Sequence, residues 1–299
     1  MFLTKLKVFT LVTLLCCSGL SWATIKVVTV FDDFASITKS IGGDLVSVTS
    51  LVSGSKNMHY IKAKPSMVLK LRDADLLIRL GMDQDSWIDG VIHVSKNPKV
   101  FPNKIGYLDA SKSIEKLEVP VENVSPAMGD THIEGNPHYW LSPYNGIVIA
   151  RSICDHLNLI SPENKEIFEK NYERFSRDLE QNIRNWKLQL ASLQAYEIIT
   201  YHKVWSYFFD AFDLNGIGQL EPLPGIRPTT KHLHALEKKL KASDAKKIVL
   251  TATFYSDTIG RKFAKKIKAP FISASTNVGD DGILTYSDLF EHLVTQLKQ

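Results

Sequence analysis

The apolar positions of this chain switch between short β-branched runs and longer stretches with a three- or four-residue step. Thr24 to Val30 is β-branched throughout, the pattern of a strand covered on both faces. Phe31 to Ile41 reads as a short amphipathic helix stopped by Gly42 and Gly43. Asp44 to Leu51 predicts a second strand, Leu76 to Gly81 a third, and Ile105 to Ala110 a weaker fourth. Helical patterns lie between them. One follows Pro65, with Met67, Leu69, Leu71 and Ala74 suitably spaced, and another covers Asp85 to Val94 with Trp87, Ile88 and Val91. Such alternation predicts a parallel sheet clothed in helices.

Residues 111–134 form a polar connection containing Pro120, Pro126 and His132. A helix from Tyr144 to Leu157 follows, opened by Pro143. The longest predicted element begins at Pro162. No Gly or Pro occurs from Glu163 to Leu193, where Ile167, Phe168, Tyr172, Phe175, Leu179, Ile183, Trp186 and Leu190 recur at helical steps. Its length, about 45 Å at 1.5 Å per residue, suits a strut between two lobes.

The second half repeats the grammar of the first. Strands are predicted at Glu197–Tyr201, Ile217–Leu220, Lys247–Thr251 and Pro270–Ala274. Helices are predicted at Val204–Phe212, from a Thr229 or Thr230 cap to Leu240, at Ser256–Lys266, and from about Tyr286 to the end. The expected fold class is therefore α/β: two β/α lobes with mostly parallel sheets, joined by one long helix. The N-terminal lobe spans 24–143, the linking helices 144–194 and the C-terminal lobe 195–299.

Composition sets limits on function. At 299 residues, with 44% hydrophobic and 23% charged, the chain has room for two globular units. Lys5 and Lys7, an apolar Val8–Leu20 segment and Ser21-Trp22-Ala23 read as a cleavable signal peptide over residues 1–23, which implies an exported, periplasmic protein. No other apolar run is long enough to cross a membrane. Cleavage lowers the formal charge from +4 to +2, too little to suggest nucleic acid as a partner. It also leaves Cys154 as the one cysteine, so no internal disulfide can form and a buried apolar role is expected.

Three histidines stand in settings that fix their direction. His59 follows the second strand, His202 ends the first strand of the second half, and His138 sits in the stiff turn Asn136-Pro137-His138-Tyr139-Trp140-Leu141-Ser142-Pro143. Ligands of parallel sheets bind beyond the carboxyl ends of the strands, so the three can meet in the cleft between the lobes. A nitrogen-rich site of this kind suits zinc (Zn2+). The remaining histidines read as structural or solvated. His232 and His234 lie about 200° apart on one helix and cannot share an ion.

The segments Met58-His59 with Pro65-Ser66 and Ala74-Asp75-Leu76-Leu77, then Asn136 to Pro143, then Thr200-Tyr201-His202 with Tyr207-Phe208 and Leu214, resemble the ligand segments of the metal-binding substrate-binding proteins of bacterial ABC importers. The resemblance covers nearly all of the mature chain. It implies a periplasmic receptor that binds zinc or, as the alternative, manganese (Mn2+) and delivers it to a membrane permease, working as a monomer without catalysis. Histidine at the third position favours zinc within that family.

Two departures bear on the site. The His- and Asp-rich loop of many zinc receptors is missing, and Ser275-Thr276-Asn277 stands where the family carries a late aspartate. The expected metal ligands are thus His59, His138, His202 and Glu221, with Asp280 as the second candidate for the fourth place. Glu221 could instead orient a histidine from behind. A three-histidine zinc hydrolase is the rival reading; it needs a carboxylate beside a metal-bound water, H-E-x-x-H does not occur, and Glu221 is the residue that could take that part.

Overall fold

A computed structural model describes residues 24–121, 129 and 132–298. The expected signal peptide, residues 1–23, lies outside the described residues. The first lobe runs β1 (Ile25–Phe31), α1 (Asp32–Gly42), β2 (Val46–Val52), α2 (Pro65–Arg72), β3 (Leu76–Arg79), α3 (Trp87–Ser95) and β4 (Tyr107–Asp109). Its sheet is parallel throughout, ordered β2-β1-β3-β4, with Val28 in register with Thr49 on one side and Leu77 on the other. β1 and β3 are buried along almost every residue, as their unbroken apolar runs predict.

Two helices link the lobes, α4 (Pro143–Ile160) and α5 (Lys165–Leu190). The 26 residues of α5 extend about 39 Å. The predicted helix from Glu163 to Leu193 is shorter as an α-helix because Pro162–Asn164 and Ala191–Ala195 tighten into 3₁₀ turns at its ends. Leu179, Ile183, Trp186 and Leu190 form its buried stripe. Of the adjacent pair Ile167 and Phe168, Phe168 is fully buried and Ile167 is 47% exposed, since the core-facing stripe of α5 passes through 168 and leaves 167 at its edge.

The second lobe continues with β5 (Glu197–Thr200), α6 (Ser206–Phe212), β6 (Asn215–Gln219), α7 (Thr230–Leu240), β7 (Lys247–Ala252), α8 (Asp257–Ile267), β8 (Phe271–Ala274) and α9 (Tyr286–Leu297). Its sheet, β6-β5-β7-β8, is also parallel and repeats the strand order of the first. Thr229 caps α7 through the His232 amide, and Thr285 with Asp288 forms a capping box on α9. Among the described residues no helix is long and apolar enough to cross a membrane.

The last segment ties the lobes a second time. After β8 the chain passes α1, where Asp33 accepts hydrogen bonds from Asn277 Nδ2 (2.8 Å) and Val278 N (3.0 Å). Burial pushes the Asp33 carboxyl up to about 7, with those two bonds opposing the shift. Trp140 Nε1 donates to Thr276 O, and the Tyr286 hydroxyl donates to Trp140 O and Ser142 O. Gly146 makes room for this contact, because a Cβ there would sit 2.2 Å from the Tyr286 ring. α9 then lays Trp186 of α5 against Phe290, rings 5.4 Å apart.

Candidate metal centre

Each of the three histidines predicted to converge is carried on or beside a three-residue 3₁₀ turn. His59 lies within Met58–Tyr60, where buried Met58 anchors the turn and Asn57 Oδ1 accepts the His59 amide at 3.0 Å. His138 caps Tyr139–Leu141, whose three side chains are buried as the apolar bulk of that segment predicts; the Tyr139 hydroxyl donates to Leu80 O. His202 caps Lys203–Trp205 at the end of β5. A 3₁₀ turn stiffens the backbone immediately beside each imidazole.

The turns bring the rings together. One ligating atom from each of His59, His138 and His202 lies within 4.8 Å of the others. Three nitrogens on one tetrahedral zinc are about 3.4 Å apart for bonds of about 2.0–2.1 Å, so small side-chain rotations suffice to close the set. His138 and His202 are buried, and His59 is half-buried.

Bonds behind the rings set the tautomers. Asn136 Nδ2 donates to Lys203 O (2.7 Å), which turns its Oδ1 toward His138 Nδ1 at 2.9 Å. The proton therefore sits on Nδ1, and the buried Nε2, which has no hydrogen-bond partner, offers its lone pair to the cleft. Burial holds the His138 pKa well below the usual histidine value, with the charges of His59, His202 and His132 acting in the same direction. A neutral imidazole is the form that ligates metal.

Glu221 does for His202 what Asn136 does for His138. Its Oε2 accepts from His202 Nδ1 at 2.8 Å and from the Gly225 amide at 3.1 Å. The carboxylate expected as a fourth ligand thus stands on the far side of the His202 ring and is not in the converging group. Asp280, the second candidate, is also engaged: its Oδ2 accepts from Thr253 Oγ1 and Ser275 Oγ, each at 2.7 Å.

Four other histidines have local partners. His156 Nδ1 contacts Ser152 O and His232 Nε2 contacts Gln219 O, both at 2.9 Å, while His234 faces Glu237 and His292 faces Asp281. Cys154 is a free, buried thiol. Two residues near the centre lie beyond the sequence-predicted set. His132 places its ring 5.6 Å from that of His59. Tyr255 lies 6.1 Å from the His202 ring and stacks on Tyr201 at 4.4 Å. The one available signal for His132 was its position six residues before His138. Tyr255 carried none. The cleft beside the centre encloses about 420 Å³ between His132, His138, His202, Asn136, Glu221 and Pro224.

Parallel-sheet lobes around a cluster of imidazoles, with the family match over most of the chain, make this a metal-binding substrate-binding protein of the type used by ABC importers. The chain belongs to the ZnuA family, described as zinc-uptake complex component A, periplasmic, whose family model matches residues 27–299. It is similar to the zinc-binding protein AdcA of Streptococcus pyogenes serotype M3 (strain ATCC BAA-595 / MGAS315), 24% identical over 253 residues, covering 81% of this chain and 48% of AdcA. The match thus spans about half the length of that relative. It is also similar to the manganese ABC transporter substrate-binding lipoprotein PsaA of Streptococcus pneumoniae, 27% identical over 223 residues, covering 73% of this chain and 68% of PsaA. Among solved structures, a crystal structure of ZnuA superposes with a TM-score of 0.76 at 22% identity over 92% of this chain and 98% of that one, a likeness of fold.

Proposed function

We propose that this protein is a periplasmic zinc receptor, exported by its 1–23 leader, that delivers the ion to the membrane permease of an ABC importer. The convergence of His59, His138 and His202 from both lobes carries the reading. These three are the metal ligands, and Glu221 acts through His202: a carboxylate on Nδ1 fixes the ring and makes Nε2 a stronger donor. The receptor works as a monomer and catalyses nothing. A hydrolase would need a carboxylate facing the metal-bound water, and Glu221 faces the opposite edge of the His202 ring.

Manganese is the second reading, supported by the likeness to PsaA. The donor set weighs against it, since manganese favours carboxylate oxygen while imidazole suits zinc. Metal analysis of the purified protein, with zinc and manganese in competition, tests the choice. The expected outcome is one zinc per chain and a melting temperature that rises with zinc, equivalent to about 2.7 kcal/mol at a hundredfold excess over Kd. No shift with zinc, or preferential retention of manganese, overturns it.

A further inference from the structure

We propose that His132 is the fourth ligand of the bound ion, so that the site closes with four imidazoles. The inference rests on the reading of His59, His138 and His202 as a metal site. Geometry supplies the first argument. A zinc–nitrogen bond of about 2.0–2.1 Å plus roughly 1.1 Å from nitrogen to ring centre places tetrahedral imidazole centroids about 5 Å apart. The rings of His59 and His138 are 5.4 Å apart, those of His59 and His202 5.1 Å, and those of His138 and His202 5.6 Å. His132 stands 5.6 Å from His59, the same spacing, with its Nε2 buried. It lines the cleft together with His138 and His202. Its nitrogens lie outside the 4.8 Å group of the other three, so a rotation of its side chain toward those rings accompanies its binding.

The surrounding oxygens supply the second argument. Glu221 and Asp280 are bound as described above. Glu134 pairs with Lys116, and Glu118 accepts from Ser206 Oγ and Asn136 Nδ2. After β8, Thr276 Oγ1 donates to Asn277 Oδ1 while Asn277 Nδ2 donates to Asp33, so that loop is turned toward α1. His132 is in turn set by the backbone on its C-terminal side. The Gly135 amide donates to His132 O, and Gly135 itself holds φ +105 with Leu117 O where a Cβ would project. This glycine turn joins His132 to the Asn136–His138 segment, so two ligands six residues apart can meet one ion. Four neutral donors leave the ion's charge to be balanced by Glu221 through His202, and they disfavour manganese.

X-ray absorption of the zinc-loaded wild-type protein reads the ligand count directly. Four imidazole shells are expected; three with one oxygen overturn the proposal. Zinc titration against a competing chelator then compares His132→Ala and His132→Gln with His138→Ala. Each His132 variant should still bind one zinc but lose more than about 10-fold in affinity, a cost at least that of losing an outer partner. Affinity within about twofold of wild type in both, alongside loss of binding in His138→Ala, removes His132 and leaves the three-histidine receptor standing. Unchanged binding in His138→Ala overturns the receptor reading itself.

Discussion

In the N-terminal sheet, β1 and β3 are sunk into a core that runs on through α4, α5 and α9. The C-terminal sheet has the same strand order, yet its two faces belong to different cores. Ile198, Ile248 and Leu250 point into the common core, whereas Ile199, Val249, Leu220, Leu236, Leu240, Phe263 and Ala264 form a separate cluster beneath α7 and α8. The period of two along β5 and β7 makes this division. The lobes also brace their buried histidines differently, with a neutral amide on His138 and a carboxylate on His202. One topology thus serves as the foundation on one side of the cleft and as a more detachable layer on the other.

The strongest challenge to that contrast comes from core truncation. Phe208 is fully buried in the common core beside Phe212 and Phe290, and Phe263 lies in the separate cluster. Phe208→Ala should cost about 4–5 kcal/mol in urea unfolding and Phe263→Ala about 3 kcal/mol. Equal costs would dissolve the distinction.

The seam between the lobes responds to pH through Asp33. Its folded pKa of about 7 lies above the ordinary aspartate value of 3.8, so the native state holds the proton more tightly than the unfolded chain. Its stabilising contribution is complete below about pH 4 and is lost as pH rises through 7. Relative to Asp33→Asn, wild type should lose up to about 4 kcal/mol across that window, read from denaturation midpoints at pH 4, 6 and 8. A difference that stays constant with pH would show that burial does not hold the proton on Asp33.

The smallest effect concerns the braces. Glu221→Gln keeps an acceptor for His202 Nδ1–H and removes the charge. Zinc affinity should fall about 10–100-fold, with folding unchanged. An unaltered affinity would make the charged brace of the C-terminal lobe equivalent to the neutral brace of the other.

Most of the architecture was legible in the sequence because the long elements repeat their apolar positions many times. The stripe Leu179, Ile183, Trp186, Leu190 announced α5, and Tyr286 to Leu297 announced α9. The turns that carry the histidines were not legible as 3₁₀ structure, since three residues hold too little of any period. The convergence of His59, His138 and His202 was readable from the strands that precede His59 and His202 and from the stiff turn that carries His138. The orientation of Glu221 was not, because a carboxylate that binds a metal and one that binds a ligand's N–H look alike in sequence. His132 was obscured by its polar surroundings, and the pairing of Trp140 with Thr276 joins residues 136 positions apart.

The return of the C-terminal segment to α1 also governs the order in which the molecule can be assembled. Tyr286 N donates to Ser36 Oγ across 250 positions, and Asp33 meets its partners across 244 and 245. A chain made from its N-terminus therefore carries α1 and the Trp140 turn with empty seats until residues 276–286 are synthesised. Contacts of such separation close late and slow the approach to the native state. Completion of this fold therefore waits on the segment 276–286.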